Sequence, residues 1–282
     1  MTEIFRRIVL CADDYGISPA VSAAIRELIG RGRINATSVM VVAPSFSQAE
    51  ADALVAAAAS RTAIGLHLTL TAPFAPLSAG FMPLRNGAFP PLSAMAGRAL
   101  IGGQEPARLD AEISGQFAAF RAAFGRAPDY VDGHQHIHVF PQIGEALLRA
   151  VTTAAPRAWV RQCGRPALAP KSLADPKGFI LDRLSARFRR LAAQHGVHTN
   201  PAFTGTYSFR PGADFARLFP GFLAALPDSG VVMCHPGIVD AELKRLDPLT
   251  DLREREYAFF IDDSFPRLLA AHGVALGHTA TP

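Results

Sequence analysis

The chain has 282 residues, of which 49% are hydrophobic and 18% are charged, and its formal net charge is +4. This composition excludes a disordered or low-complexity protein and provides enough apolar residues for a sizeable core. The basic residues are scattered except for a cluster at Arg183, Arg187, Arg189 and Arg190, which favours a solvent-exposed helix face, so we expect no nucleic-acid partner.

Short apolar runs and helical patterns alternate at the start of the chain. The run 7–12 is typical of a buried strand, and the pair Asp13-Asp14 follows it directly. Next comes a predicted helix, which Ser18 can cap and Gly30 can end. The elements predicted after it are a strand at 37–42, a helix at 48–59 and a strand at 63–68.

The periodicity is lost over residues 71–106, which we expect to form a long loop insertion. Helical order returns from Arg108 to Gly125, and the stretch 131–141 is interpreted as the next strand. Further predicted strands lie at 158–161, 203–207, 231–234 and 274–276, and further predicted helices at 142–151, 178–194, 215–226 and 254–272. About seven to eight strands alternating with helices, without a linker, predict one α/β domain over residues 1–282 with a closed or nearly closed parallel barrel.

The stretch 131–141 carries polar residues at alternate positions: Asp132, His134, His136 and His138. On an extended strand all four side chains would project from one face, which suits a divalent metal. Residues two apart on a strand are roughly 6.6 Å apart, however, which is too far for every histidine to share one ion. We therefore expect one or two of these side chains to bind and the others to support them or to pack.

Polar residues also occur at the predicted carboxyl ends of several strands. These residues are Asp13, Asp14, His67, Asp132, His134, Arg161 and His235. Because the loops that follow the strands converge at that end of a parallel barrel, we expect these residues to form one polar site.

Four segments carry a family resemblance. They are Ala-Asp-Asp-Tyr-Gly at 12–16, Gly-Leu-His-Leu at 65–68, Asp-Gly-His-Gln-His-Ile-His at 132–138 and Met-Cys-His-Pro-Gly at 233–237. In this order they resemble the signature blocks of the YdjC-like carbohydrate deacetylases, a family that includes chitooligosaccharide deacetylase and hopanoid-biosynthesis deacetylases. The resemblance implies a distorted (β/α) TIM-like barrel that removes N-acetyl groups from amino sugars with a divalent metal.

Carried over by position, the resemblance makes Asp14, His67 and His134 the metal ligands and Asp13 the general base. Two imidazoles and one carboxylate leave coordination positions open for water and a substrate carbonyl. The two aspartates could also exchange roles, or one of them could cap the following helix. We expect one ion, Mg2+ or Zn2+, with Mn, Co, Ni or Fe as alternatives.

Two further residues complete the predicted site. Arg161 is expected to pair with Asp13 and keep it ionised, and His235 is expected to protonate the departing amine. The expected substrate is an oligosaccharide that contains N-acetylglucosamine, or a glycolipid head group. Two alternatives are a different metal-dependent barrel hydrolase or isomerase and a non-catalytic sugar-binding barrel.

The cysteines and the first apolar run of the sequence indicate the cellular compartment of the protein. Three cysteines without paired spacing argue against a disulfide framework. The apolar run 8–12 is too short for a secretory or membrane segment, so we expect a cytoplasmic protein without a transmembrane segment. A homodimer is compatible with the sequence.

Overall fold

Parallel strands form one curved sheet in this computed structural model, which describes residues 6–59, 61–167, 176–210 and 212–277. The strands are β1 (Arg6–Tyr15), β2 (Ala36–Val39), β3 (Ala63–Leu68), β4 (Tyr130–Gly133), β5 (Trp159–Val160), β6 (Phe203–Thr204), β7 (Val231–Cys234) and β8 (Val274–Leu276). Every ladder between these strands is parallel.

The strand order is β5-β4-β3-β2-β1-β7-β6, and β8 pairs with the first residues of β1. Within the described ranges, no ladder joins the edge strands β5 and β6. An isolated bridge instead connects Val160 of β5 to Thr199, shortly before β6. The predicted α/β barrel of seven to eight parallel strands is therefore confirmed, and the weak junction between β5 and β6 makes it a distorted barrel.

Helices connect the strands and cover the sheet. They are α1 (Pro19–Gly30), α2 (Gln48–Ala58), α3 (Leu92–Leu100), α4 (Pro106–Phe124), α5 (Pro141–Ala154), α6 (Pro176–Gln194), α7 (Phe215–Ala224), α8 (Ala241–Leu246), α9 (Asp251–Ile261) and α10 (Phe265–Ala271). In α1, Ser18 caps the first turn by accepting a hydrogen bond from the Val21 amide, and Ile25 and Leu28 are fully buried. None of the helices in the described ranges is long and apolar enough to cross a membrane.

Several predicted boundaries differ from the structure. The segment 71–106 is not a continuous loop, because it contains α3. The predicted helix 254–272 is two helices, since Pro266 lacks the amide needed to continue α9 into α10 and Asp262 has extended backbone angles. The strand predicted at 203–207 keeps only its first two residues.

Gly65 of β3 lies against the ring of Tyr130 on β4. A Cβ atom at Gly65 would lie 2.5 Å from the Tyr130 ring. That ring cannot withdraw, because it is fully buried, it stacks on Trp159 and its hydroxyl contacts the Cys11 thiol. Only glycine fits here without repacking.

We therefore expect Gly65→Ala to lower the free energy of unfolding by about 1–3 kcal/mol through overpacking. Urea denaturation measures the change. Gly30→Ala at the end of α1 is the matched control, because its new methyl group would meet nothing within 4 Å. Equal unfolding free energies for Gly65→Ala and the wild type would contradict the packing argument.

Candidate metal centre and active site

A bulge in β1 brings two neighbouring aspartates to the same rim of the barrel. Consecutive side chains on a regular strand point to opposite faces. The pairing of β1 with β2 shifts register between Ala12 and Tyr15, and Asp14 has a left-handed φ of 66°. Such a bulge re-aims side chains. Asp13 and Asp14 are consequently both buried at the carboxyl end of β1, each less than 3% exposed.

Three candidate ligands meet at this rim. The Asp14 Oδ1 atom lies 3.1 Å from His67 Nε2 and 3.0 Å from His134 Nδ1. All three ligand atoms lie within 4.8 Å of one another, and the three side chains are buried. An ion held about 2.1 Å from each ligand places neighbouring ligand atoms roughly 3 Å apart. The spacing and the donor set therefore fit a divalent metal.

Asp132 orients one of these ligands. The parallel register of β3 and β4 places His67 opposite Asp132, and His67 Nδ1 lies 2.6 Å from Asp132 Oδ1 and 2.9 Å from Ser38 Oγ. Burial disfavours the charged imidazole, but the Asp132 carboxylate outweighs burial and raises the pKa of His67 to about 10. At that pKa both ring nitrogens are protonated, so an ion that binds Nε2 would have to displace its proton, while Asp132 accepts from Nδ1 and fixes the ring orientation.

Arg253 holds the other side of the Asp14 carboxylate. Its Nη2 atom donates to Asp14 Oδ2 at 2.6 Å and to Asp247 Oδ2 at 2.8 Å. Burial disfavours the charged carboxylate, but the Arg253 guanidinium and the neighbouring imidazoles hold the pKa of Asp14 well below its usual range. Asp14 is therefore ionised, as a metal ligand must be.

Arg161 occupies the space beside Asp13. It donates to both oxygens of Asp13 at 2.7 Å, to the Cys11 sulfur at 2.9 Å and lies 2.5 Å from Asp132 Oδ2. Burial acts against ionisation of Asp13, but Arg161 holds the pKa of Asp13 well below its usual range. Cys11, Asp13 and Asp132 also lie close enough to bind an ion. The guanidinium already fills that space, so Asp14, His67 and His134 are the group open to a metal.

The histidine stretch is not one strand, and this prediction is wrong. The strand β4 ends at Gly133, and residues His134–Val139 form a 3₁₀ turn in which Gln135 and His136 have left-handed φ angles of 54° and 57°. The alternation of polar and other residues in this stretch does not predict such a turn. The turn directs only His134 towards Asp14.

The other two histidines of the stretch have separate environments. His138 is fully buried behind the site, where its Nε2 atom donates to the Arg161 carbonyl at 2.7 Å. The ring of His136 packs edge-on against Phe203, and its Nδ1 atom lies 3.6 Å from the Cys163 sulfur. Burial lowers the pKa of both histidines to about 3, so both are neutral.

His235 follows β7 at the same rim. Its ring packs edge-on against Phe209, and its Nδ1 atom is buried without a hydrogen-bond partner. Burial lowers the pKa of His235, although the charges of Asp14 and Asp13 oppose this change. Its backbone amide donates to Glu256 Oε2 at 2.5 Å.

Sequence reasoning missed Arg253 and Glu256, which contact Asp14 and His235 from α9. One signal was present. Charged and apolar residues are mixed around the whole helix 251–261, so no purely apolar stripe is available to face the barrel. Some charged side chain of α9 therefore has to be buried.

The comparisons with known proteins agree with this fold. The chain is 29% identical to a chitooligosaccharide deacetylase of Serratia marcescens over 84% of this chain and 83% of that protein. It is 25% identical to a carbohydrate deacetylase of Geobacillus stearothermophilus over 96% of both chains. The structure also superposes on the crystal structure of a protein from Enterococcus faecalis V583 that is described as a cellobiose-phosphate cleavage protein. The TM-score is 0.70, and the sequences are 20% identical, with 97% of both chains covered. The family model described as YdjC-like protein matches residues 7–271, and the chain belongs to this family.

Proposed function

We propose that the chain is a metal-dependent carbohydrate deacetylase, which hydrolyses the N-acetyl group of an amino sugar. The observation that carries this proposal is the cluster of Asp14, His67 and His134 beside a separate, ion-paired Asp13. The names of the curated relatives support the reaction and the class of substrate. In more detail, the substrate is an N-acetylglucosamine oligosaccharide or the amino-sugar head group of a glycolipid.

Asp14, His67 and His134 would hold one divalent ion. When bound there, the ion would supply Lewis-acid activation of water and of the acetamide carbonyl. Imidazole and carboxylate suit Zn2+, Mn2+, Fe2+, Co2+ or Ni2+, and Mg2+ stays an alternative.

Asp13 would act as the general base. It lies beside the ligand Asp14 in the chain, but its own carboxylate pairs with Arg161 rather than with the imidazoles. The pairing keeps Asp13 deprotonated and fixes the direction of its oxygens, so it can accept a proton from water. The cost is weaker basicity, because the guanidinium stabilises the charged form.

His235 would protonate the departing amine. Burial disfavours the charged imidazolium, so His235 would take up a proton from solvent before the step and release it readily to the amine, while Asp13 would return its proton from water to solvent. The amide bond then breaks with acetate and a free amino sugar as products.

We expect the purified protein to release acetate from N-acetylglucosamine oligomers, to lose this activity after chelation and to regain it with a divalent ion. Acetate assays with Zn2+, Mn2+, Co2+, Ni2+ and Mg2+ added back in turn measure the effect. Metal binding without acetate release from any N-acetylated sugar would favour a different metal-dependent hydrolase or a sugar-binding barrel.

A further inference from the structure

The helix α9 contributes two buried charged residues to the rim of the barrel. Arg253 and Glu256 are one turn apart and have 0% exposure, and they share the buried face of α9 with Leu252 and Phe260. Burying an isolated charge is strongly unfavourable, so each of the two charges needs partners. The partners show what the two residues do.

The Arg253 side chain connects α9 to the candidate metal ligand. The Oδ1 atom of Asp14 contacts the imidazoles of His67 and His134, whereas its Oδ2 atom accepts a hydrogen bond from Arg253. The guanidinium is itself fixed by Asp247 and by the carbonyl of Leu249 at 3.0 Å. Arg253 therefore fixes the rotation of the Asp14 carboxylate and leaves one oxygen facing the imidazoles.

The Glu256 side chain connects α9 to the segment that carries His235. Its Oε2 atom accepts from the His235 amide at 2.5 Å, and its Oε1 atom accepts from the Tyr207 hydroxyl at 2.6 Å. Two residues further on, the Gly237 amide donates to the Arg253 carbonyl at 3.1 Å. The segment after β7 is thus attached to α9 at two points.

We propose that α9 is the positioning element of this active site, in which Arg253 orients the metal-binding carboxylate of Asp14 and Glu256 orients the backbone that carries His235. This inference rests on the proposed function. Neither residue touches substrate, because each acts through the residue that it holds. The two residues are one turn apart, yet they serve different parts of the reaction, so their loss has different consequences.

The test separates metal binding from turnover. We expect Arg253→Met to weaken metal affinity 10- to 100-fold, which is the usual effect of losing the partner of a metal ligand. Any loss of kcat should be smaller than this loss of affinity. Arg253→Lys should recover part of the affinity, because it restores a charged donor. We expect Glu256→Ala to keep wild-type metal affinity but to lower kcat about 10²-fold with little change in KM, since a small displacement of a reacting group has that effect. Glu256→Gln should recover most of kcat, because its amide oxygen still accepts from the His235 amide.

The control for damage to the helix is Phe260→Leu, which lies on the same buried face but packs against Phe215, Phe219 and Phe265. It should lower the melting temperature and leave metal affinity and kcat unchanged. Metal titration by calorimetry, acetate kinetics and thermal unfolding give the three readouts. The proposal fails if the two variants show the same pattern, with equal losses of metal affinity and equal losses of kcat. It also fails if Arg253→Lys does not restore metal affinity and Glu256→Gln does not restore kcat. In either case α9 is only a structural helix. A wild type that binds metal but releases no acetate rejects the proposed function instead, and the metal affinities of the Arg253 and Glu256 variants still test the orientation of Asp14.

Discussion

His67→Ala is expected to lose the divalent ion and the deacetylase activity together. The imidazole provides one of three candidate ligand atoms, and its neighbour Asp132 fixes the ring from behind at 2.6 Å. Removing the ring leaves two ligands and a cavity, which should empty the site after dialysis. The fold should survive, because the Asp132 carboxylate keeps its contact with Arg161. Metal analysis of the dialysed protein and acetate assays measure both losses.

Two variants make this prediction specific. Asp132→Asn keeps the His67 ligand and removes only the charge behind it, so we expect a partial loss of 10- to 100-fold in metal affinity or activity. His195→Ala should change neither quantity, because His195 lies away from the rim and contacts Glu145. Full metal occupancy and normal turnover in His67→Ala would remove this residue from the ligand set.

The parts of the site that could be predicted from sequence are those that follow directly from strand ends. Asp13, Asp14, His67 and His235 all follow or end a buried apolar run, and parallel strands bring such ends to one rim. The grouping of these residues therefore depended only on recognising the strands. The grouping did not depend on the exact ends of the strands. For example, β2 ends three residues before its predicted end, and the predicted set of site residues is unaffected.

The parts that could not be predicted depend on backbone angles or on distant packing. The alternation of polar residues in 131–138 suits a strand, but left-handed angles at Gln135 and His136 end the strand after Gly133. The mixed pattern of α9 indicates only that some charged side chain is buried. It does not identify Arg253 and Glu256, which are placed at the site by their contacts with Asp14 and with the His235 amide. The role of a buried charged residue can be assigned only when its partner is known. Arg253 and its partner Asp14 are more than 200 residues apart in the sequence.

Asp13→Asn is expected to keep the metal but to lose turnover by about 10²- to 10⁴-fold, the usual effect of losing a general base. The amide is nearly isosteric with the carboxylate, and Asp13 contacts Arg161 rather than His67 or His134. The metal ligands should therefore be unaffected. Arg161 loses one ionic partner but keeps Asp132, so the guanidinium stays paired. Metal analysis and single-substrate kinetics measure the two outcomes on the same preparation.

Asp14→Asn is the matched control, because the two aspartates are neighbours with almost equal burial but different partners. Its carboxylate faces both imidazoles, so its loss should weaken metal retention and lower the rate as a consequence. A general base and a ligand thus fail differently: one leaves a loaded and inactive protein, and the other leaves an empty one. If Asp13→Asn empties the site while Asp14→Asn stays loaded and inactive, the roles of the two residues are exchanged and the deacetylase proposal stands. If both variants hold metal and turn over normally, neither aspartate takes part, and the mechanism proposed for this site is wrong.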